Sequence, residues 1–202
     1  MRITTISSRD GYSVLECWQL HSTPVEYMAA LNYAIGGRTT NVKWSTLRPR
    51  TYVGQAWAPH VQLTIVLNGM IRVSAPYTPP SSPAANATTT CSCSNQASPA
   101  MAQQTAYVLS ERLLYPGSVS VATAESPVAA RQPPEEEIAY IMPGTLTSSI
   151  ILVTDLRHVS NLAGHGAEFP SNEPTVLVQI PFENDEIPAH TVLGTGSCSN
   201  AL

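Results

Sequence analysis

Between His60 and Val73 the chain reads HVQLTIVLNGMIRV, with Val61, Leu63, Ile65 and Leu67 at every second position and His60, Gln62 and Thr64 between them. A repeat of two is the signature of a β-strand, whose side chains alternate between faces. Asn68-Gly69 comes next, a dipeptide suited to positive φ, so this stretch predicts a β-hairpin. Shorter strands are predicted over Lys43 to Arg48 and Tyr52 to Ala56, and an early one over Gly11 to Leu20. Later, Ile138 to Met142 leads into a Pro143-Gly144 turn, and Ser149 to Thr154 (SIILVT) reads as a buried strand. Thr175 to Pro181 (TVLVQIP) is another strand, and Ile187 to Leu193 adds an edge segment. One helix is expected, over Thr23 to Leu31, with Thr23 as N-cap, Pro24 in the first turn, Glu26 completing a capping box and Gly36-Gly37 beyond its end.

Two stretches break the pattern. From Ala75 to about Ala102 the chain turns to Pro, Ser, Ala, Thr and Asn and offers little to bury, which predicts a surface excursion. Strand-like segments resume at Thr105 to Leu109 and Val119 to Thr123, and Arg131 to Glu137 forms a second, acidic break read as a solvated loop. The organisation expected is one domain over 1–202, with core strands at about 52–75 and 105–182 and a low-complexity loop at 76–104. Many short strands and 17 prolines make this an all-β sandwich or barrel.

Composition narrows the partners. Charged residues are 12% of the chain and the formal net charge is −4, which speaks against nucleic acid, whose phosphates demand clustered Lys and Arg. No apolar run reaches the ~18 residues that cross a bilayer, and no secretory h-region opens the chain. A cytoplasmic protein is expected on this basis, with Cys17, Cys91, Cys93 and Cys198 as free thiols.

The segment WAPHVQLTIVLNGMIRV, Trp57 to Val73, resembles the first motif of the cupin superfamily. The segment from Pro143 to Phe182, with its Pro-Gly turn, its strand, its loop ending in Gly164-His165 and its closing strand, resembles the second. In particular the chain is similar to small single-domain cupin-like proteins of specialised metabolism, through Ala58 to Gln62 and the Asp155 to His165 loop. The resemblance implies a cupin-type β-barrel, a double-sheet jelly roll, which commonly pairs into a homodimer through a sheet edge. It also implies where a metal would sit. His60 stands for the first-motif ligand, Gln62 for the second and His165 for the second-motif histidine, while Val66 and Leu67 stand where a Glu is expected.

Two histidines and a neutral amide are a poor set for one divalent transition metal, so a metal-free cavity is the expected form. His60 and His165 are then acid–base candidates, with Gln62 and Asp155 orienting them. Trp44, Tyr52, Trp57 and Thr64 are candidates for substrate contact. A plainer reading stands beside this one. If the Val61–Leu67 face covers the only core, His60, Gln62 and Thr64 face solvent, and His165 between two glycines is an ordinary loop residue. The function expected is an enzyme acting on a hydrophobic small molecule, by metal-independent isomerisation, cyclisation or elimination (isomerase, cyclase or lyase chemistry). The alternatives are a metal-dependent cupin oxygenase or decarboxylase, and a non-catalytic ligand-binding or dimeric structural protein.

Overall fold

The computed structural model describes residues 1–79 and 132–198. The segments predicted at Thr105 to Leu109 and Val119 to Thr123, and Cys91 and Cys93, lie outside them. The described chain is all-β. Its strands are β1 (Arg2–Arg9), β2 (Tyr12–Leu20), β3 (Val25–Tyr27), β4 (Ala30–Asn32), β5 (Lys43–Leu47), β6 (Thr51–Ala56) and β7 (Gln62–Asn68). After these come β8 (Ile71–Ala75), β9 (Glu137–Ile141), β10 (Ile150–Val153), β11 (His165–Phe169), β12 (Thr175–Pro181) and β13 (His190–Thr195). A four-residue helix, α1 (Leu146–Ser149), precedes β10. Among the described residues no helix is long and apolar enough to cross a membrane.

Seven strands form one sheet in the order β13-β2-β1-β10-β7-β12-β5, and four form a second in the order β6-β11-β8-β9. Among these described strands all pairings are antiparallel except β1 with β10. The inner faces pack on each other through Ile6, Val66, Ile151 and Leu177 from one sheet and Val73, Ile141 and Phe169 from the other. The outer face of the larger sheet is covered too. Ile3, Trp18, Leu63, Ile150 and Leu152 form a second cluster with Val61 and Phe182, joined by Tyr33 and Ile35. Alternation assigns the residues. On β10, Ile151 and Val153 point to the inner cluster while Ile150 and Leu152 point to the outer one.

Four sequence expectations are corrected. The helix expected over Thr23 to Leu31 is the β3–β4 hairpin, with Met28 and Ala29 at φ 50° and 60° in its two-residue turn. Every residue of both strands is exposed, so nothing gives a helical face something to pack against, while Val25 and Tyr27 favour extended backbone. Asn68-Gly69 does not close a hairpin: β7 and β8 belong to different sheets, and the turn carries the chain across the edge of the sandwich. Gly69 is required there, at φ +76°, because a Cβ would stand 2.9 Å from the Thr175 Cα. Third, the thiols of Cys17 and Cys198 are joined in a disulfide. It ties the segment beyond β13 back onto β2, where the Cys198 N–H also donates to Thr4 Oγ1 at 3.0 Å. The acidic break is shortened as well, since Glu137 opens β9 and burial raises its carboxyl above the usual value.

The hairpin at the heart of the large sheet's N-terminal half is β1–β2, turned by Asp10 and Gly11 at φ 52° and 86°. Next to this turn, Glu16 accepts from Ser7 Oγ (2.7 Å), Trp18 Nε1 (2.8 Å) and the Arg9 guanidinium. Burial by itself pushes the Glu16 carboxyl up, but these donors and the arginine charge outweigh it and hold it below its ordinary value of 4.5. A group depressed on folding adds stability above its unfolded value and loses it as pH falls through the folded one.

Two outcomes are expected. Acid titration should show a loss of stability below about pH 4.5 that Glu16→Gln largely removes; an unchanged acid limb in the variant would discount this network. Reducing the disulfide, which spans 181 positions, or replacing Cys17 with Ser, should cost about 2–5 kcal/mol in urea denaturation. Identical midpoints with and without reductant would show that the bond does not brace the fold.

Candidate functional site

Between the two sheets lies a cavity of about 370 Å³, in the range of small-molecule sites. Its walls are mostly apolar, from Val53, Trp57, Ile71, Val153 and Phe169 among others. Ser45, Gln62, Thr64, Gln179 and His165 supply the polar groups. Gln62, Thr64 and Gln179 reach it by the alternation of β7 and β12: Thr64 pairs directly with Gln179, and both side chains leave the same face of the sheet. This is possible because the other face of β7, with Leu63 and Ile65, packs in the outer cluster.

His165 comes from the opposite sheet. It is the first residue of β11 rather than a loop residue, and its side chain is 10% exposed. Its Nδ1 lies 2.6 Å from Asp155 Oδ2. A carboxylate only accepts, so Nδ1 carries a proton, and in the neutral ring the lone pair sits on Nε2. Asp155, fully buried, stands two residues past the end of β10. Its Oδ2 also accepts from Ser13 Oγ at 2.6 Å, while Oδ1 has no protein partner among the described residues. Ser13 is delivered by the start of β2, where its N–H donates to the Ala163 carbonyl at 2.8 Å.

The glycines around His165 serve close packing. A Cβ on Gly164 would fall 2.1 Å from the Ala56 carbonyl oxygen and 2.8 Å from the Trp57 ring. One on Gly166 would meet Ser74 Oγ at 2.6 Å and the Tyr77 ring at 2.9 Å. The loop before them is fastened by Trp57, whose Nε1 donates to the Ser160 carbonyl at 2.7 Å and whose ring lies 4.9 Å beneath the Arg157 guanidinium. The imidazole is therefore held by a backbone that cannot recede.

Of the residues expected from sequence, His165, Gln62, Thr64 and Trp57 line the cavity, and Asp155 backs His165. His60 does not line it. Residues 59–61 form a bend, so strand alternation begins only at Gln62 and does not carry back to His60. Its side chain is 55% exposed and its Nδ1 lies 3.2 Å from Asp185 Oδ1, which also accepts the Val61 N–H. Trp44 and Tyr52 are exposed as well. On β5 it is Ser45, and on β6 Val53, that turns inward, so their neighbours point out. Tyr52 instead meets Tyr77, hydroxyl to hydroxyl at 3.0 Å, and this hydrogen bond raises its phenol above the usual value.

Three participants escaped the sequence: Ser13, Ser45 and Gln179. For Gln179 the signal was present, as a polar residue two places after Leu177 in an otherwise apolar strand. For Ser13 there was none, because its role depends on a contact across 142 positions. The would-be metal set of His60, Gln62 and His165 is not assembled around one cavity, and the described residues hold no group of three His, Cys, Asp or Glu able to take an ion. In comparison with known proteins, the chain matches no family model, no curated protein and no solved structure.

Asp155→Ala should let the His165 proton move from Nδ1 to Nε2, the tautomer an unheld imidazole favours, because no carboxylate then accepts from Nδ1. The variant should also be less stable by ~1.5–3 kcal/mol, the usual worth of a hydrogen bond to a charged group. Nitrogen chemical shifts of the His165 ring read the tautomer; a ring with the same protonated nitrogen in both proteins would mean that Asp155 does not orient it.

Proposed function

We propose that this chain is an enzyme acting on a hydrophobic small molecule held between its two sheets, and that its chemistry is metal-independent proton transfer in the class of isomerisation, cyclisation or elimination. The observation that carries this reading is His165: a buried imidazole, oriented through Nδ1 by a carboxylate, opening on an apolar cavity. With the proton fixed on Nδ1, Nε2 is free to take a proton from a bound molecule and return it elsewhere. Asp155 stabilises the imidazolium formed in between, and Ser13 holds Asp155. Apolar walls exclude water and position the substrate, which supplies much of the rate in such sites. Of the pair His60 and His165, we assign the acid–base role to His165 alone.

The cupin jelly roll is our reading of the two facing sheets. Its support is the sandwich crossing at Asn68-Gly69 and the placement of Gln62 and His165 on opposite walls of one cavity. For the metal-dependent alternative the donors do not fit, since His60 is engaged with Asp185 at the surface. A homodimer is proposed through the β5 edge of the large sheet, where Trp44 and Val42 are 68% and 61% exposed. The cytoplasmic location proposed from sequence has the Cys17–Cys198 disulfide against it, because such bonds persist chiefly in oxidising compartments.

The test is turnover of a panel of uncharged hydrophobic metabolites, with chromatography for products of unchanged mass or of mass lowered by water. His165→Ala should lower the rate by about 10²–10⁴, the usual share of a general acid–base group, and His60→Ala should leave it within about twofold. Binding that persists with no turnover in the unmodified protein would favour the non-catalytic ligand-binding alternative.

A further inference from the structure

Among the described residues no Asp, Glu, Lys or Arg lines the cavity between the sheets. Besides His165 its polar groups are amides and hydroxyls, and they are unevenly satisfied. Gln62 and Thr64 are only 5% and 4% exposed, face the cavity, and make no side-chain hydrogen bond to any described residue. Gln179 is half satisfied: Ser45 Oγ donates to its Oε1 at 3.2 Å, which leaves its amide N–H groups as donors. Amides and hydroxyls that face a cavity without a protein partner are available to whatever fills it, and a ligand oxygen placed among them gains their hydrogen bonds. The donors point to an acceptor, and a carbonyl oxygen is the neutral acceptor that two amides can share.

Charge narrows the class further. The Asp155 carboxylate already stands behind His165, so an anionic ligand would enter against it with no lysine or arginine among the described wall residues to compensate. An ammonium ligand would exchange its hydration for amide and aliphatic groups. The geometry points to an uncharged carbonyl compound bearing a removable proton on the carbon beside the carbonyl, its oxygen held by the amides of Gln62 and Gln179 while Nε2 of His165 takes that proton. This assignment rests on the acid–base reading of His165 and adds the substrate class. In the step, the C–H bond breaks and an N–H bond forms at Nε2. The freed electron pair moves onto the carbonyl oxygen, giving an enolate that the amide donors stabilise. Return of the proton to the opposite face of the same carbon, or to the far carbon where an adjoining double bond extends the enolate, yields an isomer and restores the imidazole, with no oxidant or reductant consumed.

Three probes of one bicyclic skeleton test it: α-tetralone, a tetralin carboxylate and an aminotetralin. Ligand-observed NMR should show α-tetralone binding about tenfold or more tighter than either charged analogue. In heavy water its protons beside the carbonyl should exchange about a hundredfold faster with the protein than with His165→Ala, which should still bind the ketone. Gln62→Leu combined with Gln179→Leu should erase the preference for the ketone, with circular dichroism and a thermal melt reporting whether the fold survives. Gln62→Glu serves if it does not, and should turn the preference toward the amine. Equal binding of a charged analogue overturns the carbonyl class and leaves the acid–base role of His165 standing. Selective ketone binding without His165-dependent exchange overturns the proton-transfer reading instead, and failure of all three probes to bind overturns both.

Discussion

Burial of the seven-stranded sheet on both faces is the constraint on which the rest of the structure depends. A sheet covered on one side must spend its inner positions on core residues and leave its polar ones to solvent. Here the outer cluster around Trp18, Leu152 and Phe182 supplies a core of its own. The inner face of β7 and β12 can then carry Gln62, Thr64 and Gln179 into the cavity and still belong to a stable sheet. Packing on the outside is thus what permits polarity on the inside. Even the covering loop is fitted closely: a Cβ on Gly36 would stand 2.1 Å from the Phe182 ring.

The second determinant is the way His165 is aimed. Three separated parts of the chain meet at its Nδ1 side, namely the start of β2 through Ser13, the end of β10 through Asp155 and the start of β11 itself. Each of them is pinned. Ser13 N–H bonds the Ala163 carbonyl, Thr154 N–H bonds that of Ile6 and Tyr77 N–H bonds that of Gly164, so a backbone hydrogen bond holds each part. The acid–base role proposed for His165 would be served by an orientation settled before any ligand arrives. Here the orientation is set by strand positions.

Strands were legible in the sequence wherever alternation or an unbroken apolar run marked them, as in Thr175–Pro181 and Ile150–Val153. The alternation of β7 also placed Gln62 and Thr64 on one face correctly. It failed two residues before the strand begins, at His60, because a bend has no outward sign in a run such as APHVQ. Asp10-Gly11, not read as a turn in the sequence, joins strands of one sheet, whereas Asn68-Gly69, read as a hairpin, does not. Turn residues state that the chain reverses, and not whether it returns to the same sheet. The β3–β4 hairpin carried helix-like capping residues, and the two-residue turn at Met28-Ala29 had no glycine to announce it. The Ser13–Asp155–His165 chain was partly legible: the Asp155–His165 pair is local in sequence, and its third member is not.

Joining Cys17 to Cys198 makes the polypeptide, for nearly its whole length, a closed loop. A single backbone cut anywhere between these positions would leave one covalent molecule, and its two fragments would separate only after a thiol reagent opened the bond. A nicked protein would therefore migrate as intact under non-reducing conditions and still hold β2 beside β13.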